Sequence, residues 1–278
     1  MSAVDTRARP ATIALHVLLV LGALIALGPL LWMVSASLMP AGEANTFPPR
    51  LWPSHVTTEH YRALFTRLEL GRFAINSTIV AVTATVVSLL VNSMAGYAFA
   101  KLRFRGRDRL FRVLLTGLLI PVQVSMLPLF LLLKQMHLVN TYGGVIVPTL
   151  ASIFGIFLIR QYAISIPDDL LDAARIDGAG EMRIYWSIAV PVLAPILATL
   201  AIWTFLSTWN DFMWPLIVLS DEARYTLPVA LANLSGEHVQ DTELMMAGSV
   251  VTVLPVLVVF LALQRYYIQG LMVGSVKG

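Results

Sequence analysis

Apolar residues gather into six long stretches, near 13–34, 73–99, 110–133, 143–159, 188–212 and 244–263. Each approaches or exceeds the roughly 17 to 25 apolar residues that let a helix cross a bilayer. None shows the strict polar–apolar alternation of a half-buried strand. The pattern predicts an all-α, polytopic membrane protein with six transmembrane helices. Residues 1–12 would form an N-terminal tail, and 13–278 the transmembrane domain. The first run follows Arg7 and Arg9, and Ser35–Ala36–Ser37 resembles a cleavage site. Even so, it outlasts the roughly 7 to 15 apolar residues of a signal peptide, and is read as a retained span.

Polar and helix-breaking residues modify this frame. Pro40, Pro48, Pro49 and Pro53 forbid one long helix between the first two runs, while Tyr61, Leu64, Phe65 and Leu68 recur at helical spacing. They predict a short amphipathic helix on the membrane surface, either a connector or a binding element. Asn76, Ser77, Asn92, Ser93 and Gly96 punctuate the second run. Such residues face neighbouring helices or line a solute pathway. The third run carries Pro121, Gln123 and Pro128 and is expected to kink; the fourth contains Pro148.

Residues 160–187 interrupt the apolar pattern. Asp168, Asp169 and Asp172 follow Pro167, suit the positive N-terminus of a helix, and precede Gly178, a natural left-handed stop. The helix so bounded has about ten residues, below the ~12–15 at which isolated helices hold in water, so it needs a surface to pack on. A second helix from Ala179 would place Met182, Tyr185, Trp186 and Ala189 on one face. Asp168, Asp169, Asp172, Asp177 and Glu181 outnumber Arg160, Arg175 and Arg183. Anionic lipid repels such a segment, which favours a protein partner over a membrane-surface role.

Composition supports the membrane reading: 58% of the 278 residues are hydrophobic and 13% charged. A net charge of +3 is too small to suggest nucleic acid as a partner, and the absence of cysteine excludes disulfides and thiolate metal sites. The distribution of charge matters more. Thirteen of the nineteen Lys and Arg lie in the termini, the 101–112 loop and the 160–187 loop. By the positive-inside rule, both termini and the acidic loop face the cytoplasm.

Catalytic chemistry is hard to place. No GxxxxGK[ST], HExxH or GxSxG occurs, and the five histidines are never at metal-ligand spacing. The chain is expected to hold no catalytic residues, metal or cofactor of its own. Energy for uphill transport would come from another subunit or from an ion gradient. An ion gradient calls for an ionisable group inside a span, and only Asp211, in TWNDFMWP, comes close. Trp209 and Trp214 around it also fit an interfacial, hydrogen-bonded carboxylate, with Asn210 shaping an outer mouth.

DAARIDGAGEMRIYWSIAVPVLAP, residues 172–195, resembles the EAA loop of bacterial ATP-binding-cassette importer permeases. Ala173, Ala174, Asp177, Gly178, Ala179, Ile188 and Pro191 match the motif; Asp172 stands in place of its Glu and Val190 in place of its Leu. WNDFMWPLIVL, YTLPVAL and QRYYIQGLMVGSVKG are similar to the maltose-type carbohydrate permeases. The resemblance implies a multi-pass protein of the bacterial inner membrane. It would work with a second homologous permease subunit, two cytoplasmic ATPase subunits that bind ATP and Mg²⁺, and an extracytoplasmic sugar-binding protein. Asp172, Ala173, Ala174, Asp177, Gly178, Ala179 and Pro191 would couple ATPase closure to the spans. Candidate pathway residues are Asn92, Gln123, Ser207, Thr208, Asn210 and Asp211. The rival readings are an ion-coupled secondary transporter built on Asp211 and a membrane-embedded enzyme, for which no reactive constellation is visible.

Orientation is directly testable in a chain without cysteine. A cysteine introduced at Arg105 should react with an impermeant maleimide only from the cytoplasmic side; labelling from outside intact cells would reverse the topology.

Overall fold

The computed structural model describes residues 8–237 and 241–273. Arg7, His238 and the last five residues of the 264–278 segment lie outside them. Every regular element among the described residues is helical. In chain order these are α1 (Ala8–Ala36), α2 (Glu59–Thr66), α3 (Leu70–Lys101), α4 (Arg107–Thr116), α5 (Val122–Gln135), α6 (Tyr142–Ile146) and α7 (Ile153–Ala163). There follow α8 (Asp168–Ile176), α9 (Glu181–Ile184), a π-helical turn over Tyr185–Ala189, α10 (Val190–Trp209), α11 (Met213–Val218), α12 (Leu227–Glu237) and α13 (Thr242–Val273).

Among the described residues five stretches are long and apolar enough to cross a membrane: Thr12–Ala36, Leu70–Lys101, Tyr142–Ala163, Glu181–Trp209 and Thr242–Ala262. The third expected run departs from the simple picture. Arg107–Leu119 and Val122–Gln135 meet at 106°, so residues 110–133 are broken into two helices where a kink was expected. The break falls where Ile120 is extended, at φ −87° and ψ 118°. A residue before proline is pushed out of the helical region, and Pro121 has no N–H to continue the ladder. Pro128, in contrast, sits inside unbroken α5. The fifth run also shifts, because its helix begins at Glu181 and stops at Trp209, leaving Asp211 beyond its end.

The chain divides into two compact units, residues 1–70 with 231–253 and residues 71–230 with 254–278. In the first, the side chains of α1 are exposed from Thr12 to Leu31, and burial starts only near Ser35, Ala36 and Ser37. Ala36 and Met39 pack with Ala44, whose amide donates to Glu243 Oε1 at 2.7 Å. Glu43 is buried and accepts from Arg50 Nη1 at 2.7 Å and from the amide and hydroxyl of Ser54. α2 turns inward the i, i+4 pair His60 and Leu64, while Phe65, expected on the packing face, is exposed.

The second unit is organised on α3. Several of its polar residues are buried, and some of them answer a break in another element. Asn76 Nδ2 donates to the carbonyls of Ala223 and Tyr225, and its Oδ1 accepts from the Tyr142 hydroxyl. Ser77 Oγ accepts from the Leu227 amide at 2.7 Å. Ser93 Oγ lies 2.6 Å from the Tyr185 hydroxyl. The helix-contact reading of these residues is the observed one. One turn on, α3 comes so close to α7 that a Cβ on Gly96 would stand 2.6 Å from Ile159, itself fully buried. Gly96→Ala is therefore expected to cost about 1–3 kcal/mol through overpacking. Gly22→Ala, with nothing within 4 Å of its added carbon, should cost nothing. Thermal denaturation of the solubilised protein, with Gly22→Ala as reference, checks the difference.

Candidate functional site

The acidic loop folds as the helix α8 and the short α9 behind it. Pro167 precedes α8 in extended conformation (φ −61°, ψ 132°), so its missing N–H costs no hydrogen bond and its ring presets the entry. Asp168 and Asp169 occupy the first turn. At the other end Gly178 adopts φ +84°. Its amide donates to the Arg175 carbonyl at 3.0 Å and that of Ala179 to the Ala174 carbonyl at 2.9 Å. These two bonds form a Schellman stop, which only glycine makes without a Cβ penalty.

At nine residues, α8 is too short to stand alone, and the structure supplies its support. Leu171 is buried in a cluster with Tyr97, Ile159, Ala163, Ile166, Ile184, Tyr185 and Leu193, against which Ala174 and Ala179 are partly buried. Ala173 is exposed, so the paired alanines split between two faces. The expected second stripe also splits. Tyr185 and Ala189 are buried with Ile184, whereas Met182 and Trp186 are 56% and 50% exposed. Met182 precedes the π turn and Trp186 lies at its start; there the Val190 amide reaches back five residues to the Tyr185 carbonyl, which shifts the register of the helix that follows. Pro191, lacking an amide, sits in the first turn of α10 and is exposed.

Two cations fix the loop, and neither stood out in the sequence. Lys101 Nζ donates to the carbonyls of Ile164 (3.2 Å) and Ile166 (2.6 Å) and to Asp168 Oδ1 (2.7 Å). Its side chain is only 7% exposed. Hydrogen bonding and charge from Lys101 hold the Asp168 carboxyl below the ordinary carboxylate range. Arg175 donates to Glu181 Oε1 and Oε2 at 2.7 and 3.2 Å and to Asp172 Oδ1 at 2.6 Å. It thereby clamps α8 to α9. The i, i+3 spacing of Asp172 and Arg175 was a usable local signal, but Lys101 looked like one of many topology-setting cations. What remains outward is mixed: Leu170 and Ile176, 45% and 86% exposed, beside the exposed Asp169, Asp172, Ala173 and Asp177.

The pathway candidates fall into different environments. Asn92 is fully buried; its Nδ2 donates to Ser88 Oγ at 2.7 Å and its Oδ1 accepts from the Ser152 amide at 3.0 Å. Gln123 is exposed in the first turn of α5. Ser207 is exposed and Thr208 half-buried in the last turn of α10, and Asn210 beyond it donates to the Leu206 carbonyl at 2.9 Å. Asp211 Oδ1 accepts from the Trp214 amide at 3.3 Å, capping the start of α11, while the Trp214 indole donates to the Gly144 carbonyl. This arrangement is that of a hydrogen-bonded carboxylate past a helix end, and it does not favour an ion carrier within a span.

Residues 92–273 match the family of binding-protein-dependent transport system inner membrane components, and the chain belongs to that family. The arabinooligosaccharides transport system permease protein AraQ of Halalkalibacterium halodurans is 41% identical over 259 residues, 92% of this chain and 93% of that one. The lactose transport system permease protein LacG of Rhizobium radiobacter is 34% identical over 276 residues, 98% of each chain. Among solved structures, a chain of a bacterial ABC transporter involved in the import of the acidic polysaccharide alginate superposes with a TM-score of 0.83 at 26% identity. The match covers 96% of this chain and 100% of that one.

The Lys101–Asp168 contact has a pH signature. A carboxyl whose pKa is depressed in the folded state contributes stability above its unfolded value and loses it as pH falls through the folded one. In Lys101→Met the Asp168 titration should move upward toward the ordinary range, as followed by carboxyl ¹³C chemical shift in aspartate-labelled protein.

Proposed function

We propose that this chain is a membrane-spanning permease subunit of an ATP-driven importer for a carbohydrate, held in the bacterial inner membrane. It works beside a second homologous permease subunit and receives solute from an extracytoplasmic binding protein. ATP and Mg²⁺ are bound and ATP is hydrolysed by two cytoplasmic ATPase subunits, not by this chain. The observation that carries the reading is family membership together with α8, a nine-residue helix between two apolar stretches. Its outer face offers Ile176 and Leu170 in a ring of carboxylates. The saccharide substrates in the names of AraQ and LacG support the choice of solute class.

In this reading the bent pair α4–α5 is a single crossing, the spans number six, and both termini and the 160–187 loop are cytoplasmic. α8 docks in a groove of an ATPase subunit through Asp172, Ala173, Asp177 and the turn at Gly178. Ala174, Ala179 and Pro191 shape the inner side of the same loop. When the ATPase closes around ATP, α8 moves as a body and the attached spans switch between inward-facing and outward-facing states. Ser207, Thr208 and Asn210, with Gln123 on α5, offer hydroxyls and amides to a sugar. Asn92 and Asp211 belong to this set as its supports, since their side chains are engaged in the bonds described above.

Gly178→Val tests the coupling role. The left-handed conformation costs a non-glycine residue about 1–2 kcal/mol, so the end of α8 should be remodelled while the apolar spans still insert. Uptake by the reconstituted complex is expected to fall while ATP hydrolysis continues without binding-protein control; wild-type uptake in a well-inserted variant would overturn the assignment. Screening mono- and oligosaccharides for binding-protein-dependent stimulation of ATP hydrolysis would identify the solute. Stimulation by no saccharide at all, but by another solute class, would overturn the carbohydrate reading.

A further inference from the structure

We infer that Lys101 is a positioning residue that ties α8 to the end of α3, so that movement of α8 is delivered to α3 as well as to α10. The inference rests on the coupling reading of α8 and adds a second output to it. Covalent connection already joins α8 forward to α10, through α9 and the π turn, and backward to α7. It does not join α8 to α3, whose last residue precedes Asp168 by 67 positions. Lys101 makes that link.

Its three ammonium donors meet three acceptors, Ile164 O and Ile166 O on the segment that leads into α8 and Asp168 Oδ1 at the first residue of α8 itself. A cation that served only to set topology would need to be on the cytoplasmic side, not buried. Arg103, Arg105 and Arg109 of the same loop are exposed, while the Lys101 side chain is 7% exposed. Burial of an ammonium is tolerated only when its hydrogen bonds are made, so the group is committed to this place. One turn earlier on α3, Tyr97 shares the buried cluster that receives Leu171. An ionic contact and an apolar one therefore hold α8 against the same stretch of α3.

The test uses the whole importer, with its partner subunits and binding protein, in vesicles, and reads solute carried per ATP hydrolysed. Lys101→Met is expected to lower that ratio about tenfold, the order set by losing a charge-assisted hydrogen bond, with the ATPase subunits still co-purifying. The chain has no cysteine, so Lys101→Cys can be aminoethylated to rebuild the ammonium, with the modification checked by mass and an identically treated unsubstituted complex alongside. Restoration of the ratio supports the inference; an unchanged ratio in Lys101→Met, or failure of the rebuilt ammonium to restore it, overturns it. Should Lys101→Met not fold, Asp168→Ala removes one acceptor, and the charge with it, at a side chain 76% exposed; a lowered ratio supports the tie and a wild-type ratio overturns it. Ile176→Glu separates the two levels. It should abolish ATPase co-purification if α8 docks there, so normal co-purification sinks the coupling reading. Lost co-purification in Ile176→Glu together with a normal ratio in Lys101→Met sinks only the role of Lys101.

Discussion

Inside a bilayer no water is available to accept or donate hydrogen bonds, so every backbone group exposed by a broken helix must be answered by the protein, at a cost of several kcal/mol otherwise. This chain breaks its helices often, at Ile120, between α6 and α7, after Trp209 and before Leu227. Side chains of α3 answer many of the breaks. Asn76 takes the carbonyls of Ala223 and Tyr225, Ser77 the amide of Leu227, and Asn92 the amide of Ser152. A single long helix with polar residues on its buried face thus permits irregular backbone elsewhere in its unit. Gly96, where α3 and α7 nearly touch, is the apolar counterpart of the same arrangement.

How much of this was legible depends on how local the signal was. The apolar runs, the acids of the first turn of α8 and the stop at Gly178 depend on near neighbours in sequence, and all reappear as helices and a left-handed turn. The polar residues of α3 announced contacts but not their partners, because Asn76 and Tyr225 are 149 positions apart. Lys101 was hidden for the same reason: charge counts register which side a residue is on, and burial is a property of the fold. The break at Ile120–Pro121 was foreseen as a kink but underestimated. One proline in a helix bends it, whereas a residue pushed to extended geometry before the proline ends it.

The register error between α9 and α10 has a different origin. Helical spacing assumes 3.6 residues per turn throughout, and the π turn at Tyr185–Ala189 inserts a wider one. Pro191 follows at once, and without an N–H it leaves the carbonyl four residues earlier without its usual donor. A wide turn just ahead of a proline relieves that conflict. It also places a non-standard segment between α8 and the long apolar helix α10, in the region that the family resemblance assigns to coupling.

The balance of attachments on the two faces of α8 decides whether a pull on it reaches the rest of the protein. Leu171 inward and Ile176 outward are comparable apolar anchors, each contributing about 1.5–3 kcal/mol when buried. With those alone, a partner seated on the outer face could peel the helix from its own protein. The inner side holds more. Just ahead of α8, Lys101 donates to the carbonyls of Ile164 and Ile166 from a side chain that is 7% exposed, and charge-assisted bonds in such a place are worth roughly 1.5–3 kcal/mol each, so the entry of the helix is fastened as well as its apolar face. The ion pairs of Arg175 add less, since both carboxylates are largely open to solvent, but they keep α8 and α9 at a fixed angle. With the stronger attachments on the inside, a displacement imposed from outside moves the helix together with what it is fastened to.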